Sequence, residues 1–312
     1  MSEKKSEPID VVYVLGKGSR WHNNEIRYSL RSIQKNLIGY RNVFIVGENP
    51  GFTTNITHIP HPDELGPGNA DGNIIRKVLR ACKRQRLSDT FLFINDDHFI
   101  IKPTHVKDIP PLHKGDMTTF SEGYFKQGLW RKRLKRTRDH LVAAGLTAFH
   151  FDAHTPILFN KHLFPDAVSR FDYATAPGLT MKSLYGNVVY PGQEVPLTTQ
   201  KVVIFKPKTI AEINQTTEQS YILSINDGGL NNSMRFWLQQ TFPDPSKYES
   251  TPPSDFYIDL AQWAASGKHP DHAFQICEKH NKHLPLRIRA RRNCQRSRQK
   301  INVKLDYQTQ YL

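Results

Sequence analysis

The stretch Phe91-Leu92-Phe93-Ile94-Asn95-Asp96-Asp97-His98-Phe99-Ile100-Ile101 places apolar residues on both sides of two adjacent carboxylates. Four apolar residues in a row, Phe91 to Ile94, fit a strand buried on both faces, as in a parallel sheet. Two acids closing such a strand need a partner, because an unpaired buried charge is very costly. One such partner is a divalent cation: hard carboxylate oxygens suit Mg²⁺ or Mn²⁺, and these ions bridge protein to phosphate. The plainer alternative is a strand that ends in a polar turn, with an aspartate capping the next segment. Ligands of open α/β sheets sit outside the carboxyl ends of the strands, where this pair falls.

Upstream, Ile9–Leu15 is rich in β-branched residues and reads as the first strand. Gly16-Lys17-Gly18-Ser19 turns the chain. Asn23 to Ile33 then has helical period, with Ile26, Leu30 and Ile33 on one face and Asn23 or Asn24 as the N-cap. Asn42–Gly47 is a second strand and Ile56–Pro60 a short third. A loop rich in Gly, Pro, Asn and Asp, Pro62 to Gly72, precedes a helix over Asn73–Cys82. Strand, helix, strand, loop, helix, strand means βαβ units: an α/β fold with a Rossmann-like, mostly parallel sheet. It has neither Gly-x-Gly-x-x-Gly nor a Walker loop.

Downstream, residues 103–150 read as a helical insertion or lid. Further strands are expected at 148–151, 157–159, 201–205 and 221–225, the last ending in Asn226-Asp227. Ser233–Phe242 looks helical, and a Pro-rich connector spans 243–253. Helices over 255–266 and 271–281 and a basic tail complete the chain. Two units follow: residues 1–250 as the α/β domain, and residues 251–312 as C-terminal helices and tail.

The chain has 312 residues, 38% of them hydrophobic, which is enough for a real core. No apolar run approaches the roughly 20 residues that span a bilayer, and the charged start lacks the apolar stretch of a secretory signal. Cys82, Cys277 and Cys294 are odd in number and far apart, which fits a reducing compartment and gives no disulfide framework. The expected location is therefore the cytoplasm. The net charge of +14 is concentrated in 130–138 and 287–300. Such blocks favour phosphosugars, anionic lipid or nucleic acid, or form a solvated helix face and a loose tail. Neither block carries interleaved aromatics or a nucleic-acid fold motif, so nucleic acid ranks last. The tail would hold the protein against the inner face of an anionic membrane.

Several blocks together resemble the Stealth family. Its members include bacterial capsular-polysaccharide phosphotransferases and the catalytic part of the animal lysosomal-enzyme N-acetylglucosamine-1-phosphotransferase. The blocks are Asp10–Val14 with Asn24-Glu-Ile-Arg-Tyr-Ser-Leu-Arg-Ser-Ile33; Asn42–Val46 with Asn69–Ile75 and Phe91–Phe99; Ala153-His154-Thr-Pro-Ile157; and Ser224-Ile-Asn226-Asp227-Gly with Phe242-Pro-Asp-Pro-Ser-Lys-Tyr-Glu249. They run in family order across about 10–250. The chain departs from the family at Leu15–Arg20, where members carry a further acidic residue, and at Arg76, where an acid is usual.

The resemblance implies a fold of the nucleotide-sugar transferase type. It implies transfer of a sugar-1-phosphate from a nucleotide-sugar to a hydroxyl of a glycan or lipid-linked acceptor, in surface-polysaccharide synthesis. Asp96, Asp97 and Asp227 would hold Mg²⁺ or Mn²⁺ against the diphosphate. Arg27 and Arg31, four apart on one helix face, would clamp phosphate; alternatively they pair with Glu25 or lie on the surface. Asn73 at a helix start would meet nucleotide or phosphate, with Asn24, Asn95 and Asn226 beside the substrate. His154 is the candidate general base for the acceptor hydroxyl, with Asp97 and Arg27 in the catalytic group. Asp10 would hold base or ribose, or merely cap a strand. Two rivals stand: a glycosyltransferase that releases a nucleoside diphosphate, and a non-catalytic polyanion-binding protein.

Overall fold

The computed structural model describes residues 8–19, 21, 23–197 and 201–250. The expected C-terminal helices and basic tail lie outside the described residues, as do Cys277 and Cys294. The two main sheets share one helix, with two further two-stranded pairs among the described residues. The larger sheet comprises β1 (Ile9–Leu15), β2 (Tyr40–Gly47), β3 (Thr57–Ile59), β4 (Thr90–Ile94) and β6 (Ile157–Asn160). Its order is β3-β2-β1-β4-β6; only β6 runs antiparallel. The smaller sheet has β8 (Ile222–Ile225) between β7 (Lys201–Ile204), parallel to it, and β5 (His98–Ile100), antiparallel to it. The expected mostly parallel α/β architecture is what forms.

Both faces of the larger sheet are covered, which is why its strands read as unbroken apolar runs. Phe91 and Phe93 face one side with α2 (Ala70–Cys82), while Leu92 and Ile94 face the other with α1 (Asn24–Asn36). In α1, Ile26, Leu30 and Ile33 are fully buried, as their spacing predicts. The opposite side of α1 is buried too: Tyr28 joins Trp21, Phe99 and Leu223 in a second core under the smaller sheet.

Several expectations are corrected. Residues 103–150 contain α3 (Gly128–Ala143), and Met117, Phe125, Leu134 and Leu141 join the cluster of Phe91 and Phe159. No strand forms at 148–151 beyond one bridge from Phe149 to Asp116. Side chains of α5 (Met181–Val189), which follows α4 (Leu163–Ser169), take that backbone instead: the Phe149 amide donates to Asn187 Oδ1 (2.7 Å) and the Phe151 amide to Ser183 Oγ (3.1 Å). Helix α2 starts a turn earlier than its apolar period indicates, because Asn69 caps it by accepting from the Gly72 amide at 3.0 Å.

Arg27 and Arg31 are both engaged by Glu249. Arg27 Nη1 donates to Glu249 Oε2 at 2.6 Å, and Arg31 grips both Glu249 oxygens at 2.8 Å. All three side chains are almost wholly buried. Burial pushes the Glu249 carboxyl up, but the hydrogen bonds and charge of Arg31 and Arg27 outweigh it and hold it below its ordinary range. Removing one member of a buried ion cluster leaves uncompensated charge. Glu249→Ala is therefore expected to cost about 3–5 kcal/mol in urea unfolding. Because this pKa is depressed, the Glu249 contribution is present above the ordinary glutamate range and fades as pH falls through the folded value. Unchanged unfolding midpoints in the variant would contradict this account.

Candidate active site

Strand β4 ends at Ile94, and the chain turns through Asn95-Asp96-Asp97 into β5. The turn is fixed at both ends. The His98 amide donates to Asn95 O (3.2 Å), and the Ile225 amide of β8 donates to Asp97 O (3.1 Å). The other carboxyl ends arrive at the same place: Gly16–Ser19 after β1, and Asn226-Asp227 after β8. The second turn sits tight against β7, since a Cβ on Gly229 would come within 2.1 Å of Ile204 O. Between these turns lies a cavity of about 540 Å³ lined by Glu25, Asp63, Asn73, Lys77, Asn95, Asp96, Asp97, Asn226 and Asp227, among others.

Asp97 Oδ2 lies 3.1 Å from His154 Nε2, and Asp97 Oδ1 lies 3.9 Å from His98 Nε2. The two imidazoles meet edge to face with centroids 4.7 Å apart. One ligand atom from each of Asp97, His98 and His154 comes within 4.8 Å of the others. Asp97 Oδ1, His98 Nε2 and Asn95 Oδ1 are buried with no hydrogen-bond partner among the described residues. Facing, unsatisfied oxygen and nitrogen donors fit a divalent cation that accepts imidazole as well as carboxylate. Burial also holds His98 well below its ordinary range, in the neutral form a ligand needs. Among the described residues, the group with ligand spacing is thus Asp97, His98 and His154, not the expected Asp96, Asp97 and Asp227. Asp96 and Asp227 line the same cavity.

His154 Nε2 also lies 3.0 Å from Ile225 O. Both neighbours of Nε2 are acceptors, so this nitrogen carries the proton and Nδ1 is the basic one. The backbone of His154 is left-handed, with φ 59°, an uncommon state for a residue other than glycine.

The other expected residues fall out as follows. Asp10 stands at the amino end of β1, far from these turns in the strand direction. It accepts from Arg41 Nε (2.9 Å) and from the Ser88 amide (2.8 Å), the contacts of the capping alternative. Asn24 is buried and accepts from Arg27 Nε at 3.0 Å. Asn73 lines the cavity, but it is not the helix start. Its Oδ1 accepts from the Glu64 and Leu65 amides (3.0 and 2.8 Å) and so fixes the loop wall. Asn226 Oδ1 accepts from the Gly229 amide (3.0 Å).

Two cavity residues escape sequence reasoning. Glu25 sits in the Asn24–Ile33 block, yet it reads only as an arginine partner. It is buried and accepts from Ser19 Oγ at 2.8 Å. Lys77 lies within the α2 period; its Nζ donates to Leu15 O (2.8 Å) and to Asp63 Oδ1 (2.6 Å), tying β1 to the loop wall. Burial, then the charges of Asp97 and Glu25, raises the Asp96 carboxyl well above the usual range. Burial also raises Glu25, with Asp97 and Asp227 adding to it.

No protein-family model matches the chain, and neither does any curated protein sequence. Solved structures with a distant likeness include two of the galactosyltransferase LgtC, one an active-site mutant and one a complex with donor and acceptor sugar analogues. Each is 9% identical, with TM-score 0.43, over 80% of this chain and 100% of the other. A glycosyltransferase involved in glycosylation of the major capsid of PBCV-1 is 9% identical, with TM-score 0.39, over 75% and 98%.

A carboxyl held above its ordinary range destabilises the fold once pH exceeds its unfolded value, about 3.9. Asp96→Asn should therefore stabilise the metal-free protein, with a gain that grows from pH 5 to pH 8 in chemical denaturation. An equal gain at both pH values would rule out this charge repulsion.

Proposed function

We propose that the protein transfers a sugar-1-phosphate from a nucleotide-sugar to a hydroxyl of a glycan or lipid-linked acceptor, with a divalent cation. The observation that carries this reading is convergence. Asn95–Asp97 and Asn226-Asp227 are remote in sequence yet line one cavity at the carboxyl ends of two sheets, and His154 contacts Asp97 and Ile225 O at its edge. They are also the segments that carry the Stealth resemblance. The cavity is of small-molecule size.

Its wall is acidic: Glu25, Asp63, Asp96, Asp97 and Asp227, with Lys77 already tied to Asp63. A bare diphosphate is repelled by such a wall, whereas a divalent cation reverses the local sign. When bound, the cation would neutralise diphosphate charge as a Lewis acid. Asp97 and His98 would hold it, with His154 within reach. Asp97 and Ile225 O orient the His154 ring so that Nδ1 takes the proton of the acceptor hydroxyl. The hydroxyl oxygen then forms its bond to the sugar-linked phosphorus as the bond to the nucleotide phosphate breaks, and a nucleoside monophosphate leaves.

Two measurements test this. A nucleotide-sugar panel with Mn²⁺ or Mg²⁺ is expected to release UMP or CMP; release of UDP would replace the reading with glycosyl transfer. Mixed imidazole and carboxylate donors favour Mn²⁺ over Mg²⁺. At roughly a hundredfold excess over its Kd, Mn²⁺ should raise Tm by about 5 °C, Mg²⁺ less, and neither ion in Asp97→Asn. Equal shifts in wild type and variant would remove the metal role.

A further inference from the structure

Six lysines and arginines are buried in the described part of the chain: Arg27, Arg31, Lys77, Arg133, Lys182 and Lys201. The first four are each ion-paired with a carboxylate. Lys182 and Lys201, 5% and 6% exposed, have no ion pair among the described residues. Their amines donate instead to backbone carbonyls on either side of His154: Lys182 Nζ to Thr155 O at 2.5 Å, and Lys201 Nζ to Ala153 O. Lys182 also lies 5.3 Å above the Phe93 ring. These contacts leave two buried amines with no direct ion pair among the described residues, and the desolvation cost favours an anion that would hold them in the charged form.

A third lysine joins them. The Lys114 amide donates to His150 O (3.0 Å) and the His150 amide to Gly115 O (2.9 Å), so Lys114 runs alongside the 150–155 segment. Lys114 is exposed and unpaired among the described residues. His150 is fully buried, and neither of its ring nitrogens has a hydrogen-bond partner among the described residues. The one carboxylate on this segment, Asp152, accepts from the Ser183 amide (2.8 Å), Ser183 Oγ (2.6 Å) and the Lys182 amide (3.3 Å), so the amino end of α5 already holds its charge. Burial lowers both buried amines, to about 8 at Lys182 and about 6 at Lys201.

We infer that the lysine-flanked 150–155 segment is an anion subsite, and that it takes a phosphate or carboxylate group of the acceptor. The assignment to the acceptor rests on the function proposed above. None of the three lysines, nor His150, lines the acidic cavity. They stand instead beside the His154 backbone, apart from the residues that would meet the donor diphosphate. An ammonium–phosphate contact is strong where the amine is already desolvated. Acceptor hydroxyls would thus be chosen partly by a charged group nearby.

The test needs neither metal nor nucleotide, so it is separate from the test of the transfer reaction. In EDTA at constant ionic strength, inorganic phosphate should bind wild-type protein saturably, read as a rise in Tm against a chloride control. Lys114→Met, an exposed position that does not threaten folding, should weaken that binding about tenfold, and Lys201→Met more, while Lys201→Arg retains it. Glucose 6-phosphate and gluconate should compete with phosphate where glucose does not. Absence of saturable phosphate binding, or the same binding in Lys114→Met, overturns the subsite. Displacement by UDP alone overturns its assignment to the acceptor.

Discussion

Strand β5 has one edge paired with β8 and the other edge supplied by a helix. Ser29 Oγ of α1 donates to His98 O (2.6 Å), the Ile100 amide donates to Ser32 Oγ (3.0 Å), and Asn36 Nδ2 donates to Ile100 O (2.7 Å). Three side chains spaced 3 and 4 apart, hence on one helix face, serve as a missing strand. Without them β5 would bury unsatisfied carbonyls and an amide, at about 1–3 kcal/mol each. The aspartate turn between β4 and β5 depends on this. Its entry is held by the parallel sheet and its exit by α1, so Asp96 and Asp97 are presented by two rigid elements and not by a free loop. The serines of the Arg-Tyr-Ser-Leu-Arg-Ser block therefore act two steps from chemistry, by building the strand that carries His98.

The same helix explains why its arginines mislead. Polar residues on a buried helix need partners, and Glu249 supplies one for both Arg27 and Arg31 across 218 or more residues of sequence. Nothing local announces that pairing, and an arginine pair at i, i+4 reads equally well as a phosphate clamp. Phe91–Ile94 and the Ile26, Leu30, Ile33 stripe are legible because burial writes itself into local periodicity. Asp96, Asp97, Asn226 and Asp227 are legible as cavity residues because acids at strand ends break that periodicity. His98 is hidden by its place in an apolar run, Glu25 by its arginine neighbours, and Lys77 by a helix that places it under the loop wall. Asp10 shows the value of direction: an acid beside a strand reads as a site residue or a cap, and at the amino end it makes the cap contacts.

Charge divides the region around His154 into two parts. On one side burial, with the nearby charge of Asp97 adding to it, raises Glu25 and Asp96 above the usual carboxylate range. On the other lie amines that burial drives downward. Each side is unfavourable alone, and the two do not neutralise each other through direct ion pairs among the described residues. Shifts of this kind are what reactive sites impose on themselves, because stability is given up where ligands of opposite charge are to be taken.

The left-handed backbone of His154 follows from the same arrangement. A non-glycine residue in that conformation costs on the order of 1 kcal/mol, so neighbours must hold it. Ser224 Oγ donates to His154 O at 2.7 Å, and the two lysine amines hold the carbonyls of Ala153 and Thr155. The flanking carbonyls are thus held by amines, while the imidazole meets Asp97 and Ile225 O. The strain is local, the lysines and Ser224 hold it, and its product is one imidazole set between an acid-lined cavity and a cationic face.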